Sequence, residues 1–226
     1  MIMIPFVAYI GLFNSLSTLI NQMLSPYGFS EEQAGIGGAI LIVVGLIASA
    51  VTSPIIDKTK AQLLAIKIFV PLFALSCLAF TFAPGTRSLA AIYVILAIAG
   101  AAAFSLLPVA LEYVIEITHP VSPEVTSTIL WSGGQLAGGI FIVISDALRD
   151  SGEGDGTADD GTKRPPGNLY RALIFQAVIA MIVFPLPMFL GFFGRHKEVR
   201  MRRVEADREA TERRMVTGNG DTVGLP

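Results

Sequence analysis

Asn14, Thr18 and Asn21 stand at i, i+4 and i+7, a spacing that puts three polar side chains on one face of a helix. Trp131 and Gln135 are one helical turn apart, and so are Glu112 and Glu116. All these residues sit within long apolar runs or at their ends. A polar group in such a setting must find water, a ligand or another helix. Gln135 both donates and accepts, which suits an interhelical hydrogen bond or a contact with a polar solute. Trp131 can hold a cation or a flat ring by its π-face, or anchor a helix at a membrane interface. The Asn14 stripe suits the lining of a lumen or helix–helix bonding, with Asn21 toward an outer gate. Glu112, the deeper carboxylate, can latch a helix end or carry protons. Glu116 reads as an interfacial cap or pairing group, and Asp57 as a conformational latch or helix cap.

Other chemistry is poorly supplied. One cysteine, Cys77, excludes an internal disulfide framework and a Cys-cluster metal site. Two histidines, His119 and His196, do not make a zinc site. No Ser/His or Asp/Asp constellation falls within the apolar runs, so neither an enzyme nor a cofactor or metal is expected. Two carboxylates on one helical face at a membrane edge give a sugar chain no access. The net charge of −2 provides no field for nucleic acid.

The elements that must position these residues follow from composition. Of 226 residues, 53% are hydrophobic and 15% charged, and the mean hydropathy is +0.64. A soluble domain carries about 25% charged residues, so this is an all-α, multi-pass membrane protein. A membrane helix needs about 20 apolar residues, and six runs qualify: Ile2–Leu24, Gly35–Ile56, Leu63–Phe82, Leu89–Ile117, Val125–Leu148 and Leu169–Phe193. Ser25-Pro26-Tyr27-Gly28 ends the first, Asp57-Lys58-Thr59-Lys60 the second and Pro84-Gly85 the third. Ser122, followed by Pro123 and Glu124, predicts an N-cap for the fifth.

With the N-terminus cytoplasmic, Lys58, Lys60, Lys67 and eight tail residues from Arg195 to Arg214 bring 11 of the 16 basic residues to the cytoplasmic side. That bias predicts both termini in the cytoplasm. Residues 1–194 then form the membrane domain. Residues 149–168, rich in Gly and Asp, read as a flexible outer loop without the acid spacing of an EF-hand. Residues 195–226 read as a charged cytoplasmic tail, helical where Glu198/Arg202 and Glu209/Arg213 pair at i,i+4 and partly disordered at its end.

The six spans show three textures, each occurring twice. Spans one and four carry internal polar residues or proline: Asn14, Ser15, Ser17, Thr18, Asn21 and Gln22, then Ser105, Pro108, Glu112 and Glu116. Such helices face a cavity. Spans two and five are rich in small residues, among them Gly45 and the pair Gly134/Gly138, which allow close helix packing. Spans three and six are bulky and Phe-rich, which suits a lipid-facing rim. The order cavity, packing, rim occurring twice predicts a three-plus-three inverted repeat.

Three segments carry a family resemblance: Gly11–Gln22 (GLFNSLSTLINQ), Tyr27–Gly35 (YGFSEEQAG), and a stretch from Pro108 through Glu112, Glu116 and His119-Pro120 to Ser127 and Gln135. In these the chain resembles helices seven to twelve, the C-terminal half, of a major facilitator superfamily transporter. Within the superfamily it resembles the feline leukaemia virus subgroup C receptor-related solute carriers. The resemblance implies half of a twelve-helix fold that works by alternating access. It implies small organic solutes of the choline/ethanolamine, vitamin or haem class. It also implies a missing N-terminal six-helix half, or a second copy, as the partner within a plasma-membrane, vacuolar or lysosomal bilayer. In choline-carrying members a helix-eleven glutamine lines the site, and Gln135 matches it. A helix-seven aromatic also contributes, and here Asn14 stands at that position with Phe13 beside it. Met1 lies four residues before a helix-seven proline, Pro5, so a truncated or excerpted chain is expected. The alternative is a six-span protein that dimerises, or serves as a non-transporting partner or receptor.

Overall fold

The computed structural model describes residues 3–59, 61–118, 120–150 and 165–188. Residues 151–164, most of the expected outer loop, lie outside that description, as do the expected tail helix and its disordered end. The chain forms α1 (Met3–Leu24), α2 (Glu31–Thr59), α3 (Gln62–Phe82), α4 (Leu89–Thr118), α5 (Pro123–Ala147), α6 (Tyr170–Val183) and a short α7 (Pro185–Met188). Six spans are long and apolar enough to cross a membrane, α6 and α7 together making the sixth.

Local chemistry explains the boundaries. After α1 the Ser25–Tyr27 turn closes on Gly28 at φ 89°, a left-handed backbone that glycine adopts without steric cost. Ser122 accepts from the Val125 amide at 3.4 Å and caps α5, with Pro123 at its first position. The second helix is longer than its apolar run at both ends. It starts at Glu31 because Ser30 and Gln33 cap each other reciprocally: Gln33 N–H donates to Ser30 Oγ at 3.2 Å, and Ser30 N–H to Gln33 Oε1 at 3.1 Å. It ends at Thr59, past Asp57, with the Thr59 hydroxyl donating back to the Ile55 carbonyl at 2.9 Å. Asp57 is therefore an exposed residue of the last helical turn and does not cap the helix.

Two closely packed helix pairs organise the bundle, α1 with α5 and α2 with α4, while α3 packs on α4 and α6. Glycines set both approaches. A Cβ at Gly134 would meet Ile10 Cγ2 at 2.5 Å, and one at Gly138 would meet Asn14 Cβ at 2.9 Å. A Cβ at Gly37 would meet Leu96 Cδ1 at 2.9 Å, and one at Gly100 would overlap the Leu41 carbonyl. Residue numbers rise together along each contact, so both pairs are parallel. Helices separated by an even number of crossings must run this way. Exchanging the first three spans with the last three maps α1–α5 onto α4–α2, which is the contact pattern of the inverted repeat.

Spans three and six each keep an exposed apolar face, with Leu64, Ile68, Leu75 and Phe82 on α3 and Ile174, Val178 and Ile182 on α6. The central windows of α2 and α5 are each 17% buried, against 44% for α3 and 39% for the sixth span. Gly37 and Gly45 of α2 pack on α4, leaving Ile42, Val43, Leu46, Ile47 and Val51 outside. Two phenylalanines of α3 turn inward, Phe73 and Phe80 each 1% exposed, while Phe82 at its end stays exposed.

Candidate functional site

Asn14 lies 11 residues into α1 and Gln135 12 residues into α5. At 1.5 Å per residue each is about 17 Å along its helix, near the middle of a ~30 Å hydrocarbon core. The small Gly138 beneath Asn14 lets the two helices close here. Asn14 Nδ2 then donates to Gln135 Oε1 at 3.1 Å, on the open side of the pair. Gln135, Thr18 and Asn21 are exposed, and Trp131 is 41% exposed one turn from Gln135. Glu124, Thr128, Trp131 and Gln135 form one exposed stripe at i, i+4, i+7 and i+11. Thr128 was missed, although the spacing rule that found the Asn14 stripe also finds it. Amides bared to hydrocarbon at this depth would cost several kcal/mol each, so water, solute or protein must cover this face.

Phe13 is half-buried and meets Phe104 of α4 edge to face, with ring centroids 5.4 Å apart and an interplanar angle of 89°. Phe104, an apolar residue in an apolar helix, carried no signal in the sequence.

Neighbouring polar residues are diverted into packing. Ser15 is fully buried and accepts from Gln176 Nε2 of α6 at 2.9 Å, and the same nitrogen lies 3.4 Å from the buried Ser145 Oγ of α5. Ser105 is buried against α2, accepting from the Thr52 hydroxyl at 2.9 Å. Neither serine lines a cavity, because each points into a helix seam where its hydroxyl satisfies a partner. Gln176 is a lone amide in a bulky apolar span and forms no polar stripe there, so the sequence carried no periodic signal for it.

Polar contacts also tie the helix ends. At one end of the bundle, Gln22 Oε1 of α1 accepts from Arg149 Nη2, and Arg149 pairs with Asp146 of α5 at 3.1 Å. The rims of the expected flexible loop are clasped: Asn168 Nδ2 donates to Asp150 Oδ2 at 3.3 Å and to the Pro165 carbonyl at 2.8 Å. At the opposite end Glu112 is exposed and accepts from Gln62 Nε2, at the start of α3, at 3.3 Å. Glu116 is half-buried one turn beyond it. The expected substrate residues and the expected latch thus lie at different depths. Among the described residues no group of three or more His, Cys, Asp or Glu side chains could hold a metal.

No family model matches the chain. It is 34% identical over 135 residues to the choline/ethanolamine transporter FLVCR1 of Mus musculus, covering 58% of this chain and 24% of that protein. It is 29% identical over 140 residues to solute carrier family 49 member A3 of Danio rerio, covering 62% and 30%. It is 26% identical over 178 residues to the choline/ethanolamine transporter FLVCR2 of Homo sapiens, covering 77% and 31%. The chain is thus similar to choline/ethanolamine transporters and solute carrier family 49 members, as its resemblance to the feline leukaemia virus receptor-related carriers implied. It spans less than half the length of the curated relatives it matches. The six spans and the likeness to transporters make it an integral, multi-pass membrane protein. In this chain, the mid-membrane amide pair rests on two helices that close glycine packing holds in register.

Proposed function

We propose that this chain forms the C-terminal six-helix wall of a transporter that carries a small organic solute across a membrane by alternating access. The observation that carries the reading is the polar face of α1 and α5 at mid-membrane depth, with the Asn14–Gln135 pair at its centre. Gln135, Asn14 and Trp131 are the substrate contacts, Phe13 contributes its ring, and Thr18 and Asn21 line the way to the outer side. Glu112, Glu116 and Asp57 act near the cytoplasmic ends, where the Glu112–Gln62 bond ties α4 to α3. Choline and ethanolamine are the first solutes to test, because relatives carry those names, ahead of vitamin- or haem-like solutes. A six-helix N-terminal half, or a second copy, supplies the facing wall. Both termini are cytoplasmic, and the membrane is the plasma membrane or that of a vacuole or lysosome.

Uptake of labelled choline and ethanolamine into cells that overproduce the native protein tests this reading. Saturable uptake above background is expected. If neither solute nor a vitamin- or haem-like panel is carried, the six-span partner or receptor becomes the better reading.

A further inference from the structure

The aromatic contact between α1 and α4 has a role that the polar residues do not fill. The bundle consists of two tight pairs, α1–α5 and α2–α4, and α1 meets α4 over a much smaller contact. Phe13 and Phe104 bridge the pairs near mid-membrane. Phe13 packs against both buried core clusters, whereas Phe104 belongs to neither and stays half-buried. The ring of Phe104 is nevertheless fixed. On one side it lies on Gly45 of α2, where a Cβ would overlap its Cδ2. On the other it meets the edge of Phe13. Phe13 immediately precedes Asn14, which bonds Gln135. A half-buried ring thus touches the residue that precedes Asn14 in the chain.

We propose that Phe104 is a ligand-contacting residue that sets specificity, presenting an aromatic surface to the apolar or ammonium part of a small solute whose polar group meets Asn14 and Gln135. The proposal rests on the transport reading above and adds a residue from a third helix to its site. An aromatic ring is the group required here because it buries methyl groups and attracts a cation without carrying a charge of its own. Its fixed placement avoids the entropy cost of ordering a side chain when solute binds.

The test separates this role from the transport reading. Cys77 is the one cysteine of this chain and is buried, so a background with Cys77→Ser and with any cysteine of the facing half replaced allows single cysteines at Phe104 and Gln135. In the native protein, both Phe104→Cys and Gln135→Cys are expected to react with a methanethiosulfonate ethylammonium reagent, and choline is expected to slow both reactions. Phe104→Leu is then expected to raise the KM for choline uptake roughly tenfold with the maximal rate retained, while Phe104→Tyr stays near wild type. Reaction at position 135 without reaction at 104 overturns the proposal and leaves the transport reading standing. An unchanged KM for both choline and ethanolamine in Phe104→Leu overturns it as well. Absence of reaction at both positions removes the water-accessible face itself, and both readings fall together.

Discussion

Gln135 and Ser15 show how little separates a site residue from a packing residue. Both are polar and both lie inside apolar helices, yet one is exposed beside Asn14 and the other is fully buried under Gln176. Removing each therefore has a different consequence. Gln135→Ala deletes a group on the open face, so solute affinity is expected to fall about tenfold, the weight of one good hydrogen bond. Membrane insertion and thermal stability are expected to stay unchanged. Binding or uptake titrations beside a melting curve check this, and wild-type affinity would remove Gln135 from the site. Glu112 is argued as a latch because its carboxylate meets Gln62 on the neighbouring helix. Glu112→Gln is expected to leave the pH profile of uptake unchanged. A lost pH dependence would instead assign it to proton coupling.

Glycine contacts and a few buried hydrogen bonds decide how the helices pair, because lipid gives apolar helices no hydrophobic reason to associate. Gly100 and Gly139 make a controlled comparison. A Cβ at Gly100 would overlap the Leu41 backbone carbonyl, which cannot move aside as a side chain can, while a Cβ at Gly139 meets nothing within 4 Å. Gly100→Ala is thus expected to cost about 1–3 kcal/mol through forced separation of α2 and α4, and Gly139→Ala close to nothing. Thermal unfolding in detergent distinguishes them, and equal melting temperatures would disprove the tight crossing. Gln176 joins three helices through Ser15 and Ser145. Gln176→Leu is expected to lose about 1 kcal/mol, the scale of such bonds in membranes, with solute affinity retained. A large affinity loss without destabilisation would move Gln176 into the site.

On the proposed reading the chain is one wall, and its polar face needs another. An immunoblot against the native tail tests what supplies it. A product of about twice 24.1 kDa or more is expected if six further helices share the chain, whereas a 24 kDa product that crosslinks to itself would favour a second copy. The proposed topology of six crossings puts both ends of the chain in the cytoplasm. Protease-sensitive tags at both ends are expected to be cut only after cells are opened. Cleavage from outside intact cells would invert the topology.

The number of spans, their approximate limits, the Ser122 cap and the twice-repeated texture are local properties, set by residue type within one or two turns, and the sequence alone determined them. The same is true of the Asn14 stripe and of the family resemblance. What only the tertiary structure decided is where each face points. Adjacent helical residues are 100° apart, so Asn14 can face open space while Ser15 is sealed in a seam, and no property of either residue says which neighbour arrives. The glycines show the same limit: their number marked α2 and α5 as closely packed, but close packing on one neighbour each left most of both helices exposed. Phe104 owes its place to Gly45, 59 positions earlier in the chain, and contacts at that separation exist only once the helices have packed.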